Sequence, residues 1–168
     1  MKNEFTLTIY SEDQLRLITR LSSMFVRKQI VVLSLNMSIC EIDKMYRYTI
    51  VVNETLDTVI NIAAQIEKII EVYKCYFHLN EEIVFRQTAL FKIPTALLME
   101  NINMELMLRE NDLKILEIHK EYTILQAIAT DNEIEVLTKE LNSLGLIEFV
   151  TSSRIALEKS NKGFCIEI

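Results

Sequence analysis

Glycine and proline are scarce in this chain: two glycines (Gly145, Gly163) and one proline (Pro94) in 168 residues. The glycine-rich phosphate loops, the dinucleotide fingerprint and the nucleophile elbow all need close-set glycines, so each is excluded. Tryptophan is absent. Three cysteines, Cys40, Cys75 and Cys165, are too widely spaced for a metal knuckle, and His78 and His119 do not complete a zinc pattern. They read as free thiols of a reducing compartment rather than a disulfide framework or metal ligands. Positive charge is in deficit: 18 Lys and Arg against 24 Asp and Glu give a net charge of −6. That balance argues against a nucleic-acid partner, which needs a basic face. No apolar run approaches the roughly 20 residues that span a bilayer, and no basic segment followed by an apolar run opens the chain. The expectation is a cytoplasmic protein with no membrane partner.

What is present is a doubled pattern. Residues 4–40 read as strand, loop, helix, strand. Phe5, Leu7 and Ile9 alternate with Thr6, Thr8 and Tyr10, the period of a half-buried strand. Ser11, three residues before Gln14, offers a capping box. Leu17, Leu21, Met24 and Phe25, with Ile18 beside them, then repeat at helical spacing. Alternation returns with Leu33, Leu35, Met37 and Ile39, and after a polar turn at 41–44 with Tyr46, Tyr48, Ile50 and Val52. Asn53 or Thr55 caps a helix whose stripe is Val59, Ile62, Ala63, Ile66, Ile69 and Ile70, and a strand follows from Val72 to Phe77. The order is βαββαβ, one antiparallel sheet with both helices on one face.

Residues 78–82 form a polar joint, and the scheme then repeats. A strand runs through residues 83–93, with a bend expected near Gln87. Pro94 and Thr95 start a helix carrying Leu98, Ile102 and Leu106. A hairpin turns at Lys120 and Glu121. Thr130 and Glu133 make a capping box for a helix bearing Ile134, Leu137, Leu141 and Leu144, closed by Gly145. Residues 146–157 read as the last strand, and the tail from Glu158 is polar. The fold class is therefore α+β: two tandem ferredoxin-like βαββαβ domains, expected at 1–78 and 79–168.

Chemistry is hard to find. Glu12 and Asp13 read as first-turn helix charges rather than an acid–base pair. His119 has no nucleophile or metal near it in the pattern. Tyr46 and Tyr48 share a strand face on which RNA-binding domains of this topology stack bases, but the glycine-containing strand motif of those domains is missing. The first helix carries Arg16, Arg20, Arg27 and then Lys28, a solvated face or a surface for an acidic partner or ligand. The loop at 10–14 lies at a helix N-terminus, where free N–H groups favour a carboxylate.

A family resemblance runs through these segments. Ser11-Glu12-Asp13-Gln14, Phe25 eleven residues beyond Gln14, residues 30–35 ending in Ser34-Leu35, and Arg47-Tyr48-Thr49-Ile50-Val51-Val52 carry it in the first half. Gln65-Ile66-Glu67-Lys68, Ala89-Leu90-Phe91-Lys92-Ile93, Gly145-Leu146-Ile147-Glu148-Phe149 and Ser153-Arg154-Ile155-Ala156 continue it. In order and spacing the chain resembles the small regulatory subunit of acetolactate synthase, whose N-terminal domain is an ACT domain. The resemblance implies a subunit without catalytic residues, cofactor or metal of its own. It implies a thiamine-diphosphate-dependent large catalytic subunit as partner, a homodimer through the ACT half, and feedback by valine or another branched-chain amino acid bound between paired ACT domains. The effector site it implies comprises Asp13, Gln14, Leu15, Arg16, Leu17, Val31 and Val32. The family's effector loop usually reads Asn-x-x-Gly and its second strand opens Gly-Tyr-Asn-Ile. Here Asp13, Arg16 and Gln29-Ile30-Val31-Val32 stand at those positions, so weak or absent valine inhibition is expected. The other reading of the same fold is a stand-alone ACT sensor for an amino acid or small anion.

Overall fold

The structure, a computed structural model, describes residues 1–12, 15–40, 44–100 and 102–160, with the side chains of 100, 102 and 103 left aside. The chain divides into two compact units, the first of Met1–Phe85 joined by the strand that starts at Ile155, the second of Arg86–Arg154.

In the first unit the order is β1 (Asn3–Ser11), α1 (Leu15–Arg27), β2 (Val32–Ile39), β3 (Tyr46–Glu54), α2 (Leu56–Ile66) and β4 (Val72–Leu79). The strands pair as β2-β3-β1-β4, all antiparallel. Phe5, Leu7 and Ile9 lie opposite Val52, Ile50 and Tyr48, so the alternation read in each strand falls on one sheet face. That face buries Leu17, Leu21, Met24 and Phe25 of α1 and Val59, Ile62, Ala63 and Ile66 of α2. The Thr55 hydroxyl caps α2 by accepting the Thr58 N–H at 3.4 Å.

Three expectations shift here. The helix of the α2 stripe ends at Ile66: Ile69 and Val72 donate N–H bonds in successive turns, Ile69 still packs against the core, and Ile70 is 97% exposed. Ser11 is the last residue of β1, and its hydroxyl donates to the Glu71 carbonyl; Gln14, its expected capping partner, lies outside the described residues, as do Glu41, Ile42 and Asp43 of the expected turn. The polar stretch at 78–82 is not a free joint. Leu79 pairs with Phe5, the Asn80 amide donates to Glu4 at 2.9 Å, and residues 80–82 form one tight 3-10 turn. The compact division accordingly falls after Phe85 rather than at 78/79.

The second unit repeats the topology. After β5 (Ile83–Pro94), which continues unbroken through Gln87, come α3 (Thr95–Glu100), α4 (Ile102–Glu110), β6 (Lys114–Ile118), β7 (Tyr122–Ala129), α5 (Asp131–Leu144) and β8 (Glu148–Thr151). The order β6-β7-β5-β8 matches that of the first sheet position for position. Its core is Ala89, Phe91 and Ile93 with Leu125, Ala127, Met104, Ile134, Leu137 and Leu141. The expected helix is met by α3 and α4 on either side of residue 101, which lies outside the described residues. Met104, not the half-exposed Leu106, is the buried anchor, with Met107 and Leu108 three and four residues on.

The Thr130–Glu133 capping box forms: the Glu133 carboxylate accepts from the Thr130 N–H at 2.8 Å and its hydroxyl at 2.7 Å. Gly145 closes α5 at φ 106°, in the left-handed region. The expected last strand is broken into β8 and β9 (Ile155–Glu158), both pairing with β5. Between them Ser152 exchanges two bonds with Thr88, and Arg154 turns inward to Asp131. Among the described residues no helix is long and apolar enough to cross a membrane.

Candidate functional site

The end of β1 and the middle of α1 are tied down by a residue the sequence pattern did not single out. The Glu71 carbonyl accepts the Ser11 hydroxyl at 2.9 Å and the Glu12 N–H at 3.0 Å, and its carboxylate takes Arg20 at 3.0 Å. Glu71 thus ties the end of β1 and the middle of α1 to the turn after α2. A single acidic residue in a polar turn gave no signal for this, since two of its three bonds use the backbone.

The expected effector residues fall in separate places. Asp13 and Gln14 lie outside the described residues. Leu15 is 72% exposed and Arg16 is exposed on the first turn of α1, whereas Leu17 is 1% exposed in the core and packs rather than faces solvent. Val31 and Val32 are exposed at the start of β2. Ser11 and Ile39 both lie opposite Tyr46, while Val32 and Phe5 both lie opposite Val52. The α1 start and the β2 start are therefore at opposite ends of the sheet, separated by a 13-residue helix of about 20 Å. One chain does not bring the two halves of the expected site together.

Between α1 and β2 runs an apolar groove of about 300 Å³, lined by Ile18, Phe25, Val26, Ile30, Val32 and Leu35 among others. β2 is an edge strand, exposed or half-buried along its whole length, with Leu33, Leu35 and Ile39 exposed. Leu33 sits at a register shift between Val32 and Ser34.

The other candidate chemistries dissolve into structure. Tyr48 is fully buried on the helix-facing side and offers no stacking platform. His119 stacks on Tyr122 at 4.5 Å and meets Glu117 at 3.0 Å, and His78 lies 3.7 Å from Glu158. Cys40 and Cys75 are buried free thiols, while Cys165 lies outside the described residues. Burial, with the Glu67 carboxylate nearby, pushes the Cys75 thiol up to about 12, so it is no nucleophile at neutral pH. Among the described residues no group of three His, Cys, Asp or Glu side chains is placed to hold a metal ion.

Two tandem ferredoxin-like units, the first with an open apolar edge strand, set the class of fold. Residues 86–160 match the family model for the small subunit of acetolactate synthase. Over 94% of its length the chain is 26% identical to the acetolactate synthase small subunit of Mycolicibacterium smegmatis, covering 92% of it. It is 25% identical to that of Mycobacterium bovis, with 94% of each chain covered. Its fold is that of the acetolactate synthase small subunit of Thermotoga maritima (TM-score 0.83, 19% identity, 95% of this chain and 99% of that one). The resemblance read from the residues is thus met along the chain.

Proposed function

We propose that this chain is the non-catalytic regulatory subunit of an acetolactate synthase: it binds the thiamine-diphosphate-dependent catalytic subunit, raises its rate, and carries no cofactor of its own. The observation that supports the reading most is the likeness to curated small subunits across 94% of the chain, both units included. The test is reconstitution. The purified chain alone forms no acetolactate from pyruvate, and added to its catalytic subunit it raises the rate. No change in rate from a chain that co-elutes with the catalytic subunit overturns the activating role.

The assembly proposed is a two-fold homodimer through the first, ACT-type unit. A long exposed edge with apolar side chains favours pairing with a second copy. Antiparallel β2-to-β2 pairing would set the Val31–Val32 end of one protomer against the Leu15–Arg16 end of its partner. Such pairing would complete across two chains a site that one chain leaves in halves, which is the arrangement an effector needs to bias one state over another. A monomer in sedimentation at micromolar concentration would refute it. The alternative, a stand-alone amino-acid sensor, is favoured instead if the chain binds an amino acid but never co-purifies with a catalytic subunit.

A further inference from the structure

The outer side of α1 is chemically divided. Toward β2 it is apolar; toward α2 it is cationic. The helix contains three arginines and no acidic residue in 13 positions, and Lys28 follows directly, in a chain of net charge −6. On the α2 side two adjoining depressions of about 250 and 240 Å³ share Met24 and Arg27. Their floor is Met24 with Ile69, and their walls are Arg20, Arg27, Lys28 and Gln65. Arg20 is held by Glu71, but among the described residues no carboxylate reaches Arg27 or Lys28; Arg27 only donates to the Ser23 carbonyl at 3.4 Å. Two cations at the helix end complement its dipole, which accounts for their sign but not for Arg20 in mid-helix or for the apolar floor between them.

We propose that this groove between α1 and the α2–β4 turn is a docking surface for an acidic segment, anchored by an apolar side chain, of the catalytic subunit. The proposal rests on the regulatory-subunit reading above. It uses the side of α1 that β2-edge pairing leaves open, so each protomer of a dimer would display it. The cationic rim selects an acidic partner and speeds encounter, and the apolar floor supplies the anchor.

The experiment measures binding of the full chain to its catalytic subunit by interferometry across a salt series, for the wild type, for Arg27→Glu with Lys28→Glu, and for Arg27→Gln with Lys28→Gln. Wild-type affinity is expected to fall as salt rises. Charge reversal is expected to weaken binding by about tenfold or more at low salt and to flatten the salt dependence, with neutralisation intermediate. Circular dichroism and sedimentation establish that fold and homodimer are kept. If the reversed variant misfolds, the neutral pair and the wild-type salt series decide. Binding within twofold of wild type in the folded variants, or a wild-type affinity indifferent to salt, overturns the docking surface while leaving the subunit reading intact. No binding by the wild type at all refutes the subunit reading, and the docking surface falls with it.

Discussion

The guanidinium of Arg154, 2% exposed, is paired with the carboxylate of Asp131 in the first turn of α5. The same carboxylate accepts the Gln87 amide at 2.7 Å. Gln87 is the second residue of the second unit and Arg154 its last, so one aspartate holds both ends of the segment.

Removing that carboxylate takes a charged partner from a guanidinium that is almost fully buried. Asp131→Ala should cost about 2–4 kcal/mol of the second unit's stability, below the full value for a buried pair because Asp131 is itself partly exposed. Arg154→Met, which removes charge and keeps volume, should lie within about 1 kcal/mol of wild type. Urea unfolding of both variants and of the double variant measures this; equal losses for the two single changes would refute it.

The α5 cap should respond to pH. The backbone N–H of Thr130 and then its hydroxyl hold the Glu133 carboxyl below the usual glutamate range. A lowered folded-state pKa stabilises above the unfolded value and is lost as pH falls through the folded one. Glu133→Ala should therefore cost about 0.5–1 kcal/mol near neutrality, and the difference from wild type should shrink as pH drops through the acid range. A gap that stays constant down to the lowest pH at which the protein folds would contradict this.

Two backbone positions should respond with opposite sign. Gln29 adopts φ 55°, a left-handed conformation costly for a side-chain-bearing residue, at the place where the family resemblance puts glycine. Gln29→Gly should stabilise by about 0.5–1 kcal/mol. Gly145, at φ 106° with open space where a Cβ would stand, should lose about 1–2 kcal/mol on change to alanine through backbone strain alone. Chemical denaturation of both variants checks the signs.

Valine should bind weakly or not at all. Arg16 stands on the exposed first turn of α1 where the family has glycine, and the exposed Val31 offers no side-chain hydrogen bond where the family has asparagine. A lost bond to a charged group costs about 1.5–3 kcal/mol. Arg16→Gly with Val31→Asn should thus strengthen valine binding by roughly 10- to 100-fold in calorimetry. Micromolar valine binding by the wild type would show that both substitutions are tolerated.

Alternation and helical stripes determined most of what the sequence decided: both βαββαβ units, the sheet faces of β1 and β3, the α1 and α5 stripes, the Thr55 cap, the Thr130–Glu133 box and the Gly145 stop. These are local, because side-chain period and capping involve residues within four positions of one another. Tertiary structure decided what depends on distant partners. The 78–82 stretch is polar, yet it pairs with β1, so the unit boundary moved to Phe85. Residues 146–157 alternate as one strand, yet it is interrupted at 152–154, where Arg154 pairs with the distant Asp131. Glu71 carried no pattern, because its carbonyl rather than its side chain holds the end of β1. The candidate effector residues were legible by resemblance, but that they stand at opposite ends of the sheet was not: sequence proximity fixes neighbours along a strand, while strand order and a helix of about 20 Å fix which ends can meet.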